Sequence, residues 1–199
     1  MPEKKLLITG FDPFGGESVN PSWEAVKQLP DRIGAFSLTK LQIPTQFGVA
    51  ARTVLASAQA LQPDVILSVG QAGGRDSITP EVIGINLREA SIADNAGIKP
   101  QNEPVVQGGP AAYFSTLPVR RMVSAVKDIG IPCKLSYSAG AFVCNDTLYT
   151  LLHRFDGTQV RVGFIHVPFL PGQAKDGVPS LPLEKICQAL TTAIEGLAE

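Results

Sequence analysis

Histidine is scarce in this chain, with two residues, His153 and His166, among 199. Isolated imidazoles with no clustered ligand spacing give a metal site little support. Cysteine is scarce too. Cys133, Cys144 and Cys187 are odd in number and follow no framework spacing, which argues against a disulfide scaffold and fits a reducing, cytoplasmic setting. There is no block of Lys or Arg and the net charge is −1, so the electrostatic footprint of a nucleic-acid binder is missing. Long apolar runs are missing as well. After Met1-Pro2-Glu3-Lys4-Lys5 only four apolar or neutral residues precede Gly10, and no secretory or transmembrane segment fits there or elsewhere.

What is present is 44% hydrophobic residues and no visible linker, so one domain over 1–199 is expected. Leu6–Phe11 reads as a buried strand entering a glycine-rich turn, Asp12–Gly16. Asn20-Pro21 gives a helix start, with asparagine as cap and proline at the first helical position. Phe36–Ile43 and Asp64–Gly70 read as strands, with alanine-rich Gly48–Leu61 helical between them. Val119–Ile129 is expected to be helical, Lys134–Tyr137 a strand, Asn145–Phe155 a helix, Arg161–Val167 a strand and Leu183–Leu197 an amphipathic helix. Between Ser91 and Pro118 the chain is polar, rich in glycine and proline, and without a clear period.

Short apolar strands alternating with helices predict a three-layer α/β/α domain on a twisted, largely parallel sheet. Right-handed crossovers then bring the carboxyl ends of the strands to one edge, where ligands bind. The loops at that edge are Phe11–Gly16, Gln71–Gly74, Ser138–Cys144 and His166–Pro171.

Cys144 falls at a strand-to-helix turn, where the positive end of a helix dipole favours thiolate over thiol. The plainer alternative is a small buried hydrophobe, the reading that also suits Cys133 and Cys187. His166 ends a strand one connection after the Cys144 helix, so neighbouring strand ends could bring imidazole to thiol. His153, inside a helix, is expected to face solvent or a satisfied contact. A carboxylate to orient the imidazole would complete a triad. Glu81 opens the apolar segment Val82–Asn86, while Asp76 and Asp94 compete on spacing. The turn Gly10–Gly16 matches neither the dinucleotide fingerprint nor the phosphate loop, and its two phenylalanines suit a flat, uncharged ligand.

At these residues the sequence resembles the pyrrolidone-carboxylate peptidases (pyroglutamyl peptidase type I), over nearly the whole chain. The markers are GFDPFGG at 10–16 with Asn20–Trp23, GQAGGR at 70–75 with Ile78–Glu81, Ser136–Gly140 leading to Phe142–Asn145, and Gly163–Pro168. The resemblance implies a cysteine exopeptidase that removes N-terminal pyroglutamyl residues from peptides through a thioacyl-enzyme intermediate. Cys144 would be the nucleophile, His166 its base and Glu81 the orienting acid. Phe11, Phe14, Thr45, Ile92, Phe142 and Val143 would line the pyrrolidone pocket, with Asn20 and Gln71 near the lactam. It also implies a cytoplasmic homotetramer that needs no cofactor. The chain departs from the family pattern at Val82, where a basic residue is usual, at Gly84, where alanine is, and at Ser91, where arginine is.

Overall fold

In the computed structural model residues 3–197 are described. The chain runs β1 (Lys4–Phe11), α1 (Pro21–Gln28), β2 (Arg32–Ile33), β3 (Phe36–Ile43), α2 (Val49–Leu61), β4 (Val65–Gln71), β5 (Thr79–Pro80), β6 (Ile83–Ile85) and β7 (Ala112–Phe114). α3 (Val119–Asp128), α4 (Val143–Phe155), β8 (Arg161–Val167) and α5 (Leu183–Glu195) follow. Six strands form one sheet in the order β2-β3-β1-β4-β8-β5. The inner four, β3, β1, β4 and β8, are parallel, and the two-residue strands β2 and β5 close the edges antiparallel.

Alternation along the inner strands builds the layers, because successive side chains of a strand face opposite sides. Leu6 and Ile8, Val65 and Leu67, and Ile165 and Val167 enter one apolar cluster with α1, α3 and α5. Leu7, Phe11, Ile66, Val162 and Phe164 enter a second cluster with α2 and α4. Leu6, Leu7 and Ile8 are fully buried, and each such side chain contributes about 2 kcal/mol as an upper estimate. The expected α/β/α layering on a largely parallel sheet is therefore the observed one.

Several expected ends shift by one or two residues, and two differences bear on the site. Helix α4 begins at Val143, not Asn145, so Cys144 lies inside its first turn. Lys134–Tyr137 is not a strand of the sheet. Residues 132–136 run parallel to 78–82, with Ile78 donating to Pro132, Lys134 to Ile78, Ser136 to Pro80 and Val82 to Ser136. The rung that residue 80 would donate to Lys134 is missing because Pro80 has no N–H, so only bridges at Cys133 and Ser136 remain. This segment lies beyond β5 and is not a neighbour of β8. The stretch 91–118, legible only as loop, contains β7, which pairs with β6, and Glu103, which bridges to Arg88.

Candidate active site

The carboxyl ends of β1, β4 and β8 meet the amino end of α4 on the sheet face covered by α2 and α4. β4 and β8 run in parallel register, and Gly70 stands opposite His166. A Cβ on Gly70 would lie 2.9 Å from Cys144 Sγ and 2.7 Å from Phe164 Cζ. A glycine here is what lets the thiol settle onto the sheet beside the strand that carries the imidazole.

β5 delivers the acid. Thr79 pairs with His166 across the β5–β8 ladder, and the Glu81 N–H donates to the Phe164 carbonyl at 2.9 Å. Glu81 Oε1 then meets His166 Nδ1 at 2.7 Å and Arg75 Nη1 at 2.7 Å. Both Glu81 and His166 are buried. Glu81 Oε2 has no hydrogen-bond partner. The Ser136 hydroxyl lies near the carboxylate but is turned to the Ser138 carbonyl, 3.2 Å away.

The competing acids lie elsewhere. Asp76 is an exposed partner of Lys134, and Asp94 accepts the backbone N–H groups of Phe47, Ala96 and Ile98. His153 bonds to the Tyr113 hydroxyl at 2.9 Å and stacks on Tyr149. Cys133 is buried, its thiol pushed up to about 11 by burial, and the Cys187 thiol faces the Ala25 carbonyl at 3.7 Å.

The electrostatics correct one expectation. Burial, reinforced by the negative charge of Glu81, pushes the Cys144 thiol up to about 12, with Arg75 opposing. Part of Cys144 stays open to solvent, which moderates the burial contribution without reversing it. Burial and Glu81 thus favour the thiol as the resting form, against Arg75 and the positive end of α4. Burial lowers His166 against the pull of Glu81, so its imidazole is neutral at pH 7. Burial raises Glu81, but His166, and after it Ser136 and Arg75, more than offset this and hold the carboxyl below its usual range. An ionised carboxylate on Nδ1 requires that nitrogen to carry the hydrogen, leaving the Nε2 lone pair as the base.

Beside the thiol at the start of α4 stand aromatic rings. Phe142, the residue before α4, lies 5.9 Å from Phe14 and meets Phe47 edge-on at 5.2 Å. Phe11 is buried beneath, 6.2 Å from Phe164, and Val143 is buried in the first turn of α4. Thr45 is pinned by the Asp12 carboxylate on its N–H and by the Asp12 carbonyl on its hydroxyl. Ile92 is 48% exposed, at the rim near Gly15. Asn20 is buried as the cap of α1, accepting from Ser22 and donating to the Asp12 carbonyl. Gln71 Oε1 accepts from Gln173 Nε2 at 3.2 Å.

Sequence reasoning missed Phe47, Gln173 and the side-chain role of Arg75. It also missed the buried pair of Arg88 with Asp146, whose other carboxylate oxygen accepts the Gly48 N–H and ties α2 to α4. Asp146 carried a signal, an acid in a first helical turn; Phe47 and Gln173 carried none. Ser91 is exposed. A separate groove of about 660 Å³ beside α2, lined by Arg52, Gln59, Arg154 and Phe155 among others, shares no residue with this site.

Known proteins resemble the chain throughout its length. The family model described as pyroglutamyl peptidase matches residues 4–199. A pyrrolidone-carboxylate peptidase of Levilactobacillus brevis is 49% identical over 197 residues, 97% of each chain. The crystal structure of Bacillus amyloliquefaciens pyroglutamyl peptidase I superposes with a TM-score of 0.94 at 48% identity, covering 98% of this chain and 97% of that one. The pyrrolidone carboxyl peptidase from Thermococcus litoralis gives 0.93 at 35% identity, covering 98% and 93%. With the sheet, the buried carboxylate–imidazole pair and the thiol on α4 already in place, these matches make the chain a member of the pyroglutamyl peptidase family.

Proposed function

We propose that the chain, as one peptidase domain over 1–199, removes N-terminal pyroglutamyl residues from peptides through Cys144, His166 and Glu81. The observation that carries the mechanism is the 2.7 Å contact of Glu81 Oε1 with His166 Nδ1 on the sheet face where Cys144 Sγ rests. His166 Nε2 takes the Cys144 proton as the sulfur attacks the carbonyl between pyroglutamate and the next residue. With thiol and imidazole both neutral at rest, proton transfer accompanies attack. The first turn of α4 has no side-chain cap. Its N–H groups, that of Cys144 among them, are donors for the developing oxyanion, each worth about 3 kcal/mol. The imidazolium then protonates the departing amine, and water hydrolyses the thioester with His166 again as base.

Specificity follows from the pocket. The rings of Phe14 and Phe142, with Phe11, Val143, Thr45 and Ile92 around them, favour a flat lactam that carries no charge. An uncyclised N-terminus would bring an ammonium among them and leave it unpaired. Gln71 serves as a polar partner of the lactam, and Asn20 supports the loop from which Phe14 projects. No cofactor enters this chemistry, and the substrates are N-terminally pyroglutamylated peptides. A cytoplasmic homotetramer belongs to the same reading. Three free cysteines suit a reducing compartment, and exposed Phe114 and Ile98 are side chains a subunit contact would cover. Sedimentation as a monomer at working concentration would remove the tetramer.

The test is release of a fluorescent amine from a pyroglutamyl amide, with a prolyl amide as control. Wild type is expected to cleave the first alone, and Cys144→Ala to abolish cleavage. Turnover surviving in Cys144→Ala would mean another nucleophile.

A further inference from the structure

Arg75 has no part in the bond-making steps above, yet its guanidinium reaches three elements of the site. It leaves the turn after β4, where its N–H bonds to the Ala72 carbonyl. Nη1 donates to Thr79 Oγ1, on the residue paired with His166, and to Glu81 Oε1. Nη2 donates to the Ser138 carbonyl at 3.1 Å, in the loop that leads to Cys144. Glu81 is fully buried and Arg75 only 27% exposed. Because Oε2 is unpartnered, the bonds on Oε1 to His166 and Arg75 are the hydrogen bonds that orient the carboxylate, with the Ser136 hydroxyl close by. One of those is the bond to His166. Without the other, the carboxylate loses one of the two bonds on that oxygen, and the His166 bond holds it less firmly.

We propose that Arg75 is a positioning residue of the triad, holding Glu81 Oε1 against His166 while fixing the Cys144 loop through the Ser138 carbonyl. A planar guanidinium suits the task, since its rigid fork directs separate N–H groups at the acid and at the carbonyl. A lysine ammonium keeps the charge but not the fork. Arg75 is also a fixed cation beside the reacting pair. The charged groups that act on His166 are Glu81 after β5 and Arg75 after β4, and the titratable Cys144 thiol on α4 rests against Gly70, the residue opposite His166. Arg75 depresses both His166 and Cys144, so its removal lets both rise.

The inference rests on the peptidase reading, and its test separates the two. The pH profile of kcat/KM on the pyroglutamyl amide is measured for wild type, Arg75→Gln and Arg75→Lys, with melting curves to confirm folding. Arg75→Gln is expected to lower kcat about tenfold or more with KM within about twofold, and to move the acidic limb to higher pH. Arg75→Lys is expected to restore the limb and only part of kcat. A wild-type profile for Arg75→Gln would overturn the proposal, as would a loss of kcat with the limb unmoved. If wild type turns over no pyroglutamyl amide, the peptidase reading fails. Arg75 is then read from the alkylation of Cys144 by iodoacetamide against pH. A shift to higher pH in Arg75→Gln supports its role beside the thiol, and an unchanged curve refutes it.

Discussion

At the scale of residues, the site is governed by which groups share which oxygen. Glu81 Oε1 serves His166 and Arg75 together, and Oε2 serves neither. Glu81→Gln keeps the volume but removes the charge that fixes the Nδ1–H tautomer. It is expected to lower kcat by about 10²-fold or more while the fold persists. Steady-state kinetics beside circular dichroism check this, and a variant with unchanged kcat would show that the imidazole needs no orienting carboxylate. The sequence favoured Glu81, which opens an apolar segment and falls in the family motif, with Asp76 and Asp94 as competitors on spacing alone. Tertiary pairing separates them, because β5 runs antiparallel to β8 and sets Thr79 against His166 two residues before Glu81.

At the scale of elements, β4 and β8 form a platform whose flatness at one point matters. Gly70 is the residue where α4 brings its thiol down, and an added methyl would come within 3 Å of both Sγ and the Phe164 ring. Gly70→Ala is expected to displace Cys144 or to spread β4 from β8, costing about 1–3 kcal/mol and most of the activity. Chemical denaturation and the amide assay on the same preparation read both effects. Unaltered stability together with unaltered turnover would mean that the thiol does not depend on this contact. The strands β1, β3, β4 and β8 and the cap Asn20-Pro21 were legible in sequence, because apolar runs and cap chemistry are local. The interrupted pairing of 132–136 was not. Its reading as a strand over Lys134–Tyr137 lacked the knowledge that Pro80, more than fifty residues earlier, would face it without an N–H.

At the scale of the whole molecule, burying the triad couples its protonation to folding. His166 is lowered, so between its folded pKa and about 6.5 the unfolded chain binds a proton that the native chain refuses. This contribution is complete above 6.5 and is lost as pH falls through the folded value. Glu81 is also lowered, and its contribution is present above about 4.3 and lost further into acid. Cys144 has the opposite sign. Its stabilisation is present below about 8.5 and fades as pH rises toward about 12. Wild-type Tm is therefore expected to decline from pH 6.5 into acid, and less steeply in His166→Gln. Parallel curves would show that the imidazole is not refused its proton in the native state. By itself, the sequence determined the layers and the inner strands and named the candidates for the site, since strand alternation, helix caps and a specific set of motifs are properties of neighbours along the chain. Only the tertiary structure decided the state of that site. Whether Cys144 rests as thiol or thiolate depends on how much water its neighbours exclude, and whether Arg75 belongs to the triad depends on a guanidinium spanning two loops that the sequence keeps more than sixty residues apart.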